Sequence, residues 1–104
     1  MRERTIENKL VTEIKKIGGI CWKFTAPSVS GVPDRIILYK GTAYFVETKA
    51  PGKKPRPLQR KIHRDLAKQG FHVWVIDSME QLSLFIDYLT DISIRNTQEE
   101  EKHE

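Results

Sequence analysis

Two runs of strand-like residues, 33–39 and 42–49, are separated only by Lys40-Gly41. A two-residue connection has no room for a crossover, so the runs must pair antiparallel as a hairpin. The turn pairs Tyr39 with Thr42, and counting outward sets Asp34 opposite Glu47. Their Cβ atoms would then lie about 4.5 to 5.5 Å apart on one face. Side chains alternate along a strand, so Lys49 joins Glu47 on that face, about 6.5 to 7 Å along the chain. The same face carries Ile36, Leu38, Ala43 and Phe45. Opposed like charges that continue an apolar surface are destabilising unless a proton or a cation comes between them. Two carboxylates, a main-chain carbonyl and several waters form the oxygen-rich setting that Mg²⁺ prefers. One alternative stays open: a bulge at Gly41 would shift the register and move Glu47 away from Asp34.

The flanking segments supply the rest of a fold. Residues 5–17 read as a helix with Thr5 as its N-cap, a stripe of Ile6, Leu10, Val11, Ile14 and Ile17, and a stop at Gly18-Gly19. A strand follows over 20–25, then a polar loop over 26–32. Residues 50–57 hold three prolines, one glycine and three basic side chains, which dictates an exposed, extended loop. A helix over 57–69 starts with Pro57 and ends at Gly70, with Leu58, Ile62 and Leu66 on its buried side and Gln59 at the margin. The run 71–76 is a fourth strand, and Ser78 with Gln81 caps a last helix through Leu89, after which periodicity fades. The order α-β-β-β-α-β-α predicts an α/β fold of the α+β mixed-sheet kind, with a right-handed parallel crossover around the second helix. Trp22 and Trp74, both on predicted strands, are expected in the core rather than as base-stacking platforms.

Charge divides the chain more sharply than its net value of +4 shows. Residues 95–104 carry four Glu against one Arg and one Lys, which leaves residues 1–94 with 16 basic side chains against 10 acidic ones. The first 94 residues are expected to form the domain and the last ten a flexible acidic tail. Between Lys49 and Lys68, eight basic residues face one acid, Asp65. That field suits a polyanion, although a merely solvated basic helix has the same composition. Cys21 is the sole cysteine, and His63, His72 and His103 lack metal-ligand spacing, which excludes a disulfide framework and a cysteine-based zinc site. With no apolar run of about 20 residues and no apolar signal core, a soluble cytoplasmic protein is expected.

Glu7 falls inside the apolar stripe of the first helix, where a carboxylate needs either a partner or the helix terminus to stabilise it. With Glu7, Gly31-Val32-Pro33-Asp34, Glu47-Thr48-Lys49 and the helical Gln59 in place, the sequence resembles the PD-(D/E)xK nuclease superfamily and, within it, the VRR-NUC (virus-type replication-repair nuclease) domain in a stand-alone form. The twelve residues between Asp34 and Glu47, spanning one hairpin, make the combination more specific than either short motif alone.

The resemblance implies a restriction-endonuclease-like core and a DNA endonuclease dependent on Mg²⁺, with Mn²⁺ able to substitute. It implies Asp34, Glu47 and the Thr48 carbonyl as metal ligands, Glu7 as a water-mediated ligand, Lys49 on the attacking water and phosphate, and Gln59 orienting the site. Ser30, Lys53, Lys54, Arg56, Arg60, Lys61 and Arg64 are the candidate DNA contacts. It further implies a homodimer acting on four-way (Holliday) junctions in phage or bacterial replication and repair. The rival readings are a nuclease for flaps, nicks or duplexes with the same site, a non-catalytic nucleic-acid-binding module, and a protein whose basic face is only solvated.

Overall fold

A computed structural model describes the backbone of residues 1–103 and the side chains of residues 1–91. The elements are α1 (Glu3–Lys16), β1 (Ile20–Lys23), β2 (Arg35–Tyr39), β3 (Thr42–Thr48), α2 (Pro57–Lys68), β4 (Val73–Ile76) and α3 (Met79–His103). The sheet order is β1-β2-β3-β4, antiparallel except for the parallel β3–β4 pair that α2 connects. This is the mixed α/β architecture, and the element order, read from the periodicities.

The hairpin register is the expected one, with Tyr39 opposite Thr42 and Arg35 opposite Val46. Lys40 and Gly41 both have positive φ, 48° and 80°, the turn geometry whose twist matches that of two paired strands. No bulge intervenes, so the outward count to Asp34 and Glu47 holds.

One face of the sheet presents Ile37, Tyr39, Val46 and Ile76 to Ile6, Leu10 and Ile14 of α1 and Leu82, Phe85 and Leu89 of α3. Alternation turns Glu47 to the other face, where Gln59 of α2 meets it. That second face is covered only in part. β1 lies at the sheet edge, and its Ile20 and Trp22 are 43% and 59% exposed. The core expectation for Trp22 is therefore corrected: among the described residues this corner of the sheet is left largely open to solvent. Trp74, on the other edge strand, does pack against the core, between Phe85 and Tyr88.

The strands β1, β2 and β4 are shorter than the sequence reading by two residues each, and the helices differ from it as well. α1 begins at Glu3 rather than after Thr5, with Arg2 as an N-cap that makes no side-chain bond. In α2 Leu58 is half exposed and Gln59 is the buried residue, because the helix docks on the polar end of β3. α3 continues beyond Leu89 to His103. The expectation of a flexible acidic tail falls on residues whose side chains lie outside those described.

Candidate active site

Asp34 stands one residue before β2, held in line because its carbonyl accepts the Phe24 N–H at 2.9 Å. Its side chain reaches across to the end of β3, where Oδ2 accepts the Thr48 N–H at 2.9 Å and the Thr48 hydroxyl at 3.1 Å. The Asp34 carboxylate thus takes the place of the next backbone carbonyl in the ladder. Gly31, with φ of +88°, brings the preceding loop against the first turn of α2, where an added Cβ would lie 3.1 Å from the Leu58 carbonyl oxygen. Loop, hairpin and helix are locked together at this corner.

Glu47 is fully buried. Gln59 Nε2 donates to its Oε2 at 2.8 Å, and Lys49 Nζ lies 3.6 Å from the same oxygen. The Gln59 amide is oriented by its other end, because its Oε1 accepts the Arg56 N–H at 2.8 Å. One side chain therefore caps α2 and grips Glu47. Glu47 Oε1 is buried without a hydrogen-bond partner. Burial first, and then the charge of Asp34, push the Glu47 pKa up to about 7.

These groups line one open cleft of about 520 Å³, with Glu3, Asp34, Glu47, Lys49 and Gln59 inside and Lys53, Lys54 and Arg56 at its rim. Glu7 is placed elsewhere. Arg35 alternates with Asp34 along the chain and faces α1, so its Nε donates to Glu7 Oε2 at 2.8 Å. The core-facing acid has a partner, but that partner is Arg35 and not the acid cluster. Glu3, one helical turn earlier, is the α1 acid that reaches the cleft. Ser30, Arg60, Lys61 and Arg64 are exposed and lie outside it, with Lys61 paired to Asp65 at 3.0 Å.

No family model matches the chain. It is, however, 48% identical over 85 residues to "Putative nuclease p44" of Acyrthosiphon pisum secondary endosymbiont phage 1, covering 81% of this chain and 91% of that protein. A solved structure described as a VRR_NUC domain superposes with a TM-score of 0.76 at 30% identity, over 82% of this chain and 94% of that one. The chain belongs to the VRR-NUC family.

Sequence reasoning missed two residues that the structure of this VRR-NUC chain brings close to Glu47 and its cleft. Taking Thr5 as the N-cap left Glu3 outside the helix, although Glu3 and Glu7 are four residues apart and share a face once α1 starts three residues earlier. His63 likewise follows Gln59 by one turn of α2, and its Nε2 lies 3.8 Å from Glu47 Oε1. Burial, then Lys49 and His72, hold the His63 pKa below the usual imidazole value. Among the described residues no three His, Cys, Asp or Glu side chains converge as a ready metal cage. The set fits a hydrated divalent cation instead, because it offers two carboxylates, one of them with a buried, unpartnered oxygen.

Proposed function

We propose that this chain is a divalent-metal-dependent DNA endonuclease that hydrolyses phosphodiester bonds. The observation that carries the reading is Glu47: a fully buried carboxylate with one free oxygen, beside Asp34 and Lys49, at the floor of a cleft rimmed by Lys53, Lys54 and Arg56. Asp34, Glu47 and the Thr48 main-chain carbonyl would hold Mg²⁺ or Mn²⁺, and Glu3 replaces Glu7 as the helical acid acting through water. Bound there, the cation would supply a polarised water and stabilise charge developing on the phosphate.

The chain's own side chains divide the remaining work. Lys49 places an ammonium beside the Glu47 carboxylate, where it orients the nucleophilic water and offsets charge developing on phosphate oxygens. Gln59 fixes Glu47 and fixes α2 at once, so the carboxylate does not turn away from Asp34. Lys53, Lys54 and Arg56 draw the phosphate backbone onto the cleft without reading bases. Such recognition by shape suits a structure-selective nuclease, and four-way junctions are the leading substrate.

One cleft per chain attacks one strand, so paired cuts call for a homodimer. The exposed apolar Ile20 and Trp22 at the sheet edge support a second copy there. Among the described residues no helix is long and apolar enough to cross a membrane, and a nuclease acting on replicating DNA would work in the cytoplasm, the host's if the gene is phage-borne.

The deciding experiment is cleavage of a labelled four-way junction, with flap, nicked and duplex DNAs alongside, in Mg²⁺, Mn²⁺ or EDTA, comparing wild type with Glu47→Ala. Metal-dependent cutting by wild type alone is expected. Cutting in EDTA, or full activity in the variant, would sink the reading.

A further inference from the structure

Glu47 is held unevenly. Oε2 takes the Gln59 amide at 2.8 Å and faces the Lys49 ammonium at 3.6 Å, while Oε1 takes nothing. Across from Oε1, at 3.8 Å, sits His63 Nε2, itself buried and without a partner. Both side chains are largely buried, His63 with 16% and Glu47 with 1% of its surface exposed. Buried polar atoms are nearly always satisfied, so two that face each other unpartnered need an explanation. Gln59 and His63 are one turn apart on α2 and project from the same face, so a single helix presents one group to each oxygen of one carboxylate.

We infer that His63 is a positioning residue for Glu47, donating Nε2–H to Oε1 and, together with Gln59, fixing the plane of the carboxylate toward Asp34. This rests on the functional reading above. The chemistry leaves one tautomer. Where Glu47 is ionised, as at pH 8, its oxygens only accept, and a neutral imidazole has a single N–H, so that proton must be on Nε2 for the contact to form. The gap closes by a shift of about 1 Å to reach hydrogen-bond distance. A carboxylate held at one oxygen pivots about its Cγ–Cδ bond; held at both, it presents its remaining lone pairs in one direction. Partners of this kind, bound to a ligand rather than to the ion, typically change metal affinity by about 10- to 100-fold.

Two measurements test it, the first without metal. In ¹⁵N-histidine-labelled, metal-free full-length protein at pH 8, long-range ¹⁵N–¹H correlation should show His63 as the Nε2–H tautomer, its signals assigned by their loss in His63→Gln. A bare Nε2 with the proton on Nδ1 overturns the inference. The second is Mn²⁺ titration followed by electron paramagnetic resonance for wild type, His63→Leu, His63→Gln and Asp34→Asn. Leucine fills the space without a donor and should weaken Mn²⁺ binding by about tenfold, whereas glutamine, whose amide restores a donor, should stay within about threefold of wild type. Wild-type affinity in His63→Leu, or equal losses in both variants, rejects the role. Nitrogen hyperfine coupling to Mn²⁺ that vanishes in His63→Leu would make His63 a ligand and equally reject it. Failure of wild type itself to bind Mn²⁺ would strike the proposed function, and the tautomer would still decide the His63 inference.

Discussion

Val46 and Glu47 are neighbours on β3, both with no exposed surface, yet they face opposite sides of the sheet and opposite kinds of interior. Val46 joins an apolar layer shared with α1 and α3, and the one ion pair at its border, Arg35 with Glu7, is closed at 2.8 Å. Glu47 lies under α2 with one satisfied oxygen, one unsatisfied oxygen and a second carboxylate lining the same cleft. Burial is thus the same on both faces, and what differs is whether the buried atoms are satisfied. The first face stores stability; the second holds a charge that folding alone does not compensate.

The sharpest way to break this contrast is to delete one side chain from each face. Glu47→Ala or Asp34→Asn should lower cleavage by about a thousandfold, equivalent to about 4 kcal/mol of transition-state stabilisation, with little loss of thermal stability. Leu10→Ala, on the α1 side, should do the reverse: about 3 kcal/mol of stability lost in denaturant titration, with the catalytic rate of the folded fraction retained. A large stability loss from Glu47→Ala would erase the distinction.

Titration reads the same difference without any change of sequence at the dry face. Glu47 titrates near 7 in the folded protein against 4.5 ordinarily, so between these values the folded form keeps a proton that the unfolded form releases. Metal-free stability should therefore be greatest below pH 4.5 as far as this group is concerned, fall as pH rises to about 7, and level off above, with a total cost on the order of 3 kcal/mol. Thermal melts with EDTA across that range should show the fall in wild type and lose it in Glu47→Gln. A wild-type profile as flat as the variant's would mean that Glu47 carries no such penalty.

Gln59→Leu should cost about 1 to 3 kcal/mol, because it removes the donor to buried Glu47 and the acceptor for the Arg56 N–H together. Its cleavage rate should fall more than its stability predicts, which a comparison of melting and single-turnover rates would check. The smallest effects belong to the open rim. Lys53→Ala and Lys54→Ala should each reduce the slope of log affinity against log salt by about 0.9 while leaving DNA preference unaltered.

The resemblance and the hairpin were legible because each rests on local rules. A two-residue turn admits few backbone conformations, and alternation then assigns every side chain of 35–48 to a face. The amphipathic stripe of α1 was equally readable, since Ile6, Leu10 and Ile14 repeat at helical spacing. Trp22 was not. An aromatic on a strand is core only if something covers it, and which part of a sheet α2 covers is a matter of docking and not of strand composition. Glu7 and Glu3 illustrate the same limit from the helix side. Both are acids on one face, and only the tilt of α1 against β2 decides that Arg35 takes the first and the cleft takes the second.

By itself, then, the sequence determined the order of elements, the hairpin register and the family, all of which follow from spacings along one chain. Tertiary structure decided which acid of α1 enters the cleft, which sheet corner stays bare, and that His63 stands across from Glu47. Those outcomes depend on angles between packed elements, where a change of a few ångströms exchanges one partner for another while the local pattern of residues stays the same.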